Sequence, residues 1–140
     1  RLDFVRSLFE AYDRKANYAV LLDAEGNVTE GRGWNIFGLR QGRLVSPDTG
    51  VLPGITRKTV IELAGQLNID ARLDKMTVND LREAEEVFLT STAGGIVPVR
   101  SIDGKMIGEG EPGPVTQRLT IMYWGLHEDD AYSTPVHYAV

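Results

Sequence analysis

The residues best suited to chemistry fall in three short stretches. In the first, Asn27-Val28-Thr29-Glu30-Gly31-Arg32-Gly33-Trp34-Asn35, a carboxylate sits between a strand-like run and two glycines. It could pair with a cationic group, or it could be a surface Glu in a turn. In the second, Leu52-Pro53-Gly54-Ile55-Thr56-Arg57-Lys58-Thr59, a glycine leads into a helical pattern. The first amides of such a helix lack intrahelical acceptors and stand at the positive end of its dipole, so they suit an anion; the plainer reading is a helix start. The third, Thr90-Ser91-Thr92-Ala93-Gly94-Gly95, gathers hydroxyls and glycines at the end of a strand. It could hold a phosphate or carboxylate, or simply turn the chain.

Helices and hairpins must position these stretches. Leu2, Val5, Leu8, Phe9 and Tyr12 recur at three- and four-residue spacing, which predicts an amphipathic helix over 2–14. The turn residues 23–27 predict a hairpin between 18–22 and Val28, and Gln41-Gly42 a second one between 34–39 and 43–45. Residues 46–50 should break regular structure. A helix over 54–68 buries Val60, Leu63, Ala64 and Leu67 and stops at Asn68.

A strand over 71–76 follows, and Thr77 with Asp80 starts a short helix through a capping box. Residues 87–89 read as strand, and Asp103-Gly104 turns a hairpin between 96–102 and 105–107. Residues 109–114 read as an exposed loop before a last helix over 114–127, with Pro114 in its first turn. Hairpins interrupted by single helices argue for a mixed α/β fold with a largely antiparallel sheet. The 140 residues suit one domain, 1–140.

Composition narrows the classes. Apolar residues are 42% and charged residues 25%, ordinary globular usage. No apolar run is long enough to span a bilayer and no secretory pattern opens the chain, so no membrane partner and a cytoplasmic location are expected. The absence of cysteine removes disulfides, thiolate metal sites and a cysteine nucleophile. His127 and His137 are badly spaced for a metal, and none is expected. The net charge of −5 argues against nucleic acid.

Taken together, Glu-Gly-x-Gly-x-Asn, Leu-x-Gly-Ile-Thr-Arg and Thr-Ala-Gly, in this order and spacing, resemble the pyridoxal-phosphate enzymes of fold-type IV. Almost the whole chain takes part in the resemblance. The flanking words Phe9-Glu10-Ala11-Tyr12-Asp13-Arg14, Phe88-Leu89-Thr90-Ser91, Gly113-Pro114-Val115-Thr116 and Met122-Tyr123-Trp124 look most like the (R)-selective amine transaminases within that class. The resemblance implies transfer of an amino group between an amine, in particular an (R)-amine, or an amino acid and a keto acid, through a pyridoxamine form. Branched-chain or D-amino acid aminotransferases and aminodeoxychorismate-type lyases share the apparatus, and a non-catalytic binding domain is the alternative from another class.

The resemblance also implies roles. Glu30 matches the carboxylate that bonds the pyridine nitrogen, Ile55 and Thr56 the phosphate-binding helix start, and Thr92 a further phosphate donor. Leu52 matches an apolar residue packed on the ring, and Gly33 and Asn35 the glycine and asparagine that shape the turn after the carboxylate. Ala93, Ser91 and Gly94 would line the substrate side. Lys15, Lys58, Lys75 and Lys105 do not match the position of the family's Schiff-base lysine, which would fall a few residues before Arg1. No catalytic residue is therefore assigned in this chain. The resemblance further implies an amino-terminal part of the same enzyme and a homodimer.

Overall fold

The computed structural model describes residues 2–138. It opens with helix α1, Leu2–Asp13. The stripe that predicts this helix stands in the open, with Leu2, Val5, Phe9 and Tyr12 exposed and Ala11 buried. The first expected hairpin is reduced to one bridge, Leu22 with Val28. Asp23 tightens its turn by accepting hydrogen bonds from the amides of Glu25 at 3.0 Å and Asn27 at 2.7 Å.

The second hairpin is complete. Strands β1, Asn35–Arg40, and β2, Arg43–Pro47, flank Gln41 (φ 51°) and Gly42 (φ 72°), a pair of positive φ angles that matches the twist of a two-residue hairpin. Ser46 and Pro47, expected to break structure, instead extend β2. Pairing with β1 reaches only Val45, so beyond it β2 pairs with a single neighbour and the missing proline amide costs no ladder bond.

Helix α2, Ile55–Gln66, crosses over to β3, Asp70–Asp74, which lies parallel to β2 and starts earlier than the sequence pattern indicates. Asn68 at φ 56° takes the left-handed conformation that stops α2. The capping box at α3, Val78–Arg82, forms as expected: Thr77 Oγ1 accepts from the Asp80 amide at 3.1 Å, and Asp80 Oδ2 accepts from the Thr77 amide at 2.9 Å.

Strand β4, Glu86–Ser91, is longer than 87–89. The expected strand over 96–102 splits around Pro98, because β5, Gly95–Pro98, joins β4 while β6, Ser101–Ile102, forms a separate ribbon with β7, Lys105–Met106. The main sheet runs β3-β2-β1-β4-β5, antiparallel except for β2 with β3, so the mixed and largely antiparallel expectation holds.

Helix α4, Pro114–Gly125, ends in a 3-10 turn, Leu126–Glu128. The loop before it is not simply exposed: Gly110 is buried and Gly113 backs directly onto the Glu86 carboxylate. Strand alternation then builds two cores. Phe37, Leu39, Leu44 and Phe88 pack under α2 and α4 with Val60, Leu63 and Leu119, while Ile36, Val87 and Leu89 face Val28, Trp34, Met76, Leu81 and Ile107. Phe37 and Phe88 stack across β1 and β4 with centroids 5.1 Å apart. Among the described residues no helix is long and apolar enough to cross a membrane.

Candidate functional site

Glu30 precedes β1 on a segment fixed from behind, where its carbonyl accepts from the Leu21 amide at 3.0 Å. The chain then turns at Gly31, where a side chain would strike the Trp34 ring, and at Gly33, whose φ of +83° favours glycine. Trp34 closes the turn, with Tyr18 edge-on at 6.2 Å. Glu30 is thereby only 8% exposed. Its Oε2 accepts from the Leu52 amide at 2.7 Å and from Asn35 Nδ2 at 3.2 Å. Among the described residues Oε1 has no hydrogen-bond partner, so it can accept one from a ligand.

Asn35 has a larger part than turn shaping. Its Nδ2 also donates to the Leu52 carbonyl at 2.9 Å, and its Oδ1 fills the place where a Cβ on residue 54 would stand. Gly54 is thus required by a close approach. It is the residue before α2 and contributes no capping side chain, so the first amides of α2 are left for a ligand. Contrast α4, whose first amides at Val115 and Thr116 donate to Glu86 at 3.1 and 2.7 Å.

Behind this corner lies Arg57, 6% exposed, donating to Ser46 Oγ at 2.9 Å and to the Pro47 carbonyl. Burial lowers the pKa of its guanidinium, and the charges of Glu30 and Asp48 oppose that shift. The net effect is a buried cation behind the Glu30 carboxylate. The sequence assigns no role to Arg57, the third residue of α2, because its partners Ser46 and Pro47 lie on β2.

A cleft of about 820 Å³ brings these parts together. It is lined by Glu30, Gly33, Asn35, Leu52, Ile55, Thr56, Ser91 and Thr92 of the residues singled out in the sequence, so all three stretches share one cavity. Thr56 is buried, with its hydroxyl 3.4 Å from that of Tyr123 on α4, while Leu52 and Ile55 are 67% and 79% exposed and offer apolar surface. Ala93 and Gly94 are not on this wall; they form the turn after β4, where the Gly94 amide donates to Ser91 Oγ at 3.0 Å. Thr90, Gly31, Trp34 and Phe4 line the cleft without having been assigned to it.

A buried, fixed carboxylate and uncapped helix amides with hydroxyls, lining one cleft, suit a ligand that carries both a cationic and an anionic group. The model of the class IV aminotransferases ("Amino-transferase class IV") matches residues 1–102. The branched-chain-amino-acid aminotransferase of Escherichia coli (strain K12) is 43% identical over 109 residues, covering 76% of this chain and 35% of that protein.

The branched-chain-amino-acid aminotransferase-like protein 2 of Arabidopsis thaliana is 35% identical across 99% of this chain and 25% of its own length. Among solved structures, a branched-chain amino acid aminotransferase from T.th., complexed with N-(5'-phosphopyridoxyl)-L-glutamate, superposes with a TM-score of 0.91 at 36% identity, over 97% of this chain and 48% of that one. The chain thus spans about a third of its Escherichia coli relative and under half of that solved structure. Matched by the family model over most of its length, and by relatives in both sequence and fold, the chain belongs to the class IV aminotransferases.

Proposed function

We propose that this chain is the cofactor-cradling part of a pyridoxal 5'-phosphate-dependent aminotransferase, completed by a further part of the same enzyme that supplies the Schiff-base lysine. The observation that carries the reading is the shared cleft, which Glu30, the α2 start and Thr92 line together. Its residues fit the group: Glu30 keeps one carboxylate oxygen for the pyridine nitrogen, and the amides of Ile55 and Thr56 with the hydroxyls of Thr56 and Thr92 take the phosphate. Leu52 would cover a ring face, while Gly33 turns the chain after Glu30 and Asn35 holds the carboxylate in place. Ser91, which lines the cleft, is assigned to the substrate side, with Ala93 and Gly94 in the turn that follows it.

When bound, the cofactor supplies an electron sink for the carbanion at the substrate carbon. Glu30 serves by holding a proton on the ring nitrogen, supported by the Leu52 amide and Asn35, which keep its Oε2 fixed.

For substrates, the branched-chain reading is favoured over the (R)-amine reading drawn from the flanking words. The relatives reported above carry branched-chain names, and one solved relative holds a phosphopyridoxyl-glutamate adduct, which supports glutamate as an amino donor. A homodimer in a soluble, cytoplasmic setting belongs to the same proposal.

The test uses the full-length protein. It should show cofactor absorbance and exchange amino groups between L-leucine, L-isoleucine or L-valine and 2-oxoglutarate faster than with an (R)-aryl amine. Glu30→Gln should preserve folding and slow turnover by about two orders of magnitude or more, since a neutral amide cannot hold the pyridinium charge. Unchanged turnover in that variant would sink the assignment. Preference for the aryl amine would restore the other substrate reading.

A further inference from the structure

Thr90 is 2% exposed and lines the cleft, yet its Oγ1 is buried without a hydrogen-bond partner among the described residues. Buried hydroxyls are nearly always paired, and a valine would fill the same strand position without a stranded donor. The position argues against an accident of packing. Alternation along β4 sets Thr90 on the same face as Phe88, toward α2 and α4.

Its cross-strand partners are Asn35 on β1 and Ile96 on β5. The next rung pairs Ser91 with Gly95, where a Cβ would come within 2.9 Å of the Tyr123 ring. Tyr123 in turn faces Thr56, the hydroxyl at the start of α2. Thr90 therefore belongs to the end of the cleft that has uncapped amides and hydroxyls, not to open protein interior.

We infer that Thr90 is a binding residue whose hydroxyl donates a hydrogen bond to the anionic group held at the α2 start, directly or across one bridging water. This rests on the proposed function, in which that group is the cofactor phosphate. The unpaired hydroxyl is then a group that only the bound anion satisfies.

The experiment compares Thr90→Val and Thr90→Ser in the full-length apoprotein. Dissociation constants are measured for pyridoxal 5'-phosphate and for pyridoxal, which lacks the phosphate, and thermal midpoints with and without cofactor. The valine variant should bind the phosphorylated cofactor roughly tenfold or more weakly, the scale of a hydrogen bond to a charged group. Its affinity for pyridoxal should match the parent's, and its apoprotein midpoint should be equal or higher because the stranded hydroxyl is gone. Serine should bind like the parent.

Parental affinity of the valine variant for the phosphorylated cofactor would overturn the inference, as would an equal loss for both ligands. Should the valine variant not fold, Thr90→Cys, of similar size and a weak donor, carries the same comparison. Failure of the parent itself to bind the cofactor would instead overturn the proposed function.

Discussion

Asn35 Nδ2 lies 3.2 Å from Glu30 Oε2 and 2.9 Å from the Leu52 carbonyl, so one side-chain amide ties the buried carboxylate to the loop that leads into α2. The Glu30 carboxylate and the approach to α2 are therefore mechanically linked. Asn35→Ala should cost about 1–2 kcal/mol of stability, for two modest hydrogen bonds lost in a buried place. Asn35→Asp should harm cofactor binding more at neutral pH, because a second carboxylate would then oppose Glu30 at hydrogen-bond range. Cofactor titration of both variants at pH 7.5 and at lower pH checks this. The aspartate variant should recover affinity as the pH falls, while the alanine variant should not.

Glu86 fastens α4 to the sheet. Its Oε2 accepts from the Thr116 amide at 2.7 Å and the Thr116 hydroxyl at 2.6 Å, and its Oε1 accepts from the Val115 amide at 3.1 Å, with Glu86 only 7% exposed. A carboxylate at a helix start also favours the dipole. Glu86→Ala should destabilise by about 2–3 kcal/mol, since it leaves buried donors unpaired. Urea denaturation of the two proteins would read this as a lower midpoint at unchanged slope. Glu86→Gln should fall between them because its amide keeps one acceptor.

How much of this was legible in the sequence depends on whether the cause was local. Turn chemistry at Gln41-Gly42, the stop at Asn68 and the Thr77–Asp80 box are short-range, and each forms where its residues indicate. What failed needed knowledge of neighbours. Pro47 reads as a breaker until β2 is seen to have a single pairing partner there, and Pro98 reads as strand interior until β5 and β6 part company. The exposed stripe of α1 shows that helical spacing reports a helix and not what covers it.

Within the site, the three stretches converge on one cleft, while Asn35, Arg57 and Thr90 acquire their importance only through partners far along the chain. Alternation outward from Phe37 and Phe88 does place Asn35 and Thr90 on one face. Nothing in the sequence says that the Thr90 hydroxyl lacks a partner.

Asp80 makes the capping box sensitive to acid. Hydrogen bonds from the Thr77 hydroxyl and amide hold its carboxyl below the ordinary aspartate range, with Arg40 adding a favourable charge at 2.6 Å. Because the folded pKa is depressed, the contribution of Asp80 is fully present above the unfolded value of about 3.9 and is lost as pH falls through the folded one. Asp80→Asn should therefore lower the thermal midpoint at pH 6–7 and converge with the parent only as the pH falls through the depressed folded pKa. A midpoint difference that persists undiminished into strong acid would show that the carboxylate's charge is not the cause.

Gly95 gives the sharpest steric test. Its φ of +64° lies in the left-handed region, and a Cβ there would stand 2.8 Å from the Trp124 ring and 2.9 Å from the Tyr123 ring. Both penalties act together, because the strand cannot retreat while Ser91 pairs with Gly95 and the Tyr123 ring is held on the packed face of α4, although the half-exposed Trp124 ring is freer to yield. Gly95→Ala should cost about 1–3 kcal/mol through overpacking, with more from the backbone. The neighbouring Gly94→Ala is the control, since its Cβ would meet Val97 and Ser91 at 3.2 and 3.3 Å and the backbone there is unstrained. Thermal unfolding of the pair should rank Gly95→Ala well below Gly94→Ala. Because Tyr123 faces Thr56 at the start of α2, a displaced Tyr123 ring should also weaken cofactor binding in Gly95→Ala and not in the control. A Gly95→Ala protein that is destabilised yet binds the cofactor like the parent would mean that the ring yields without moving its hydroxyl.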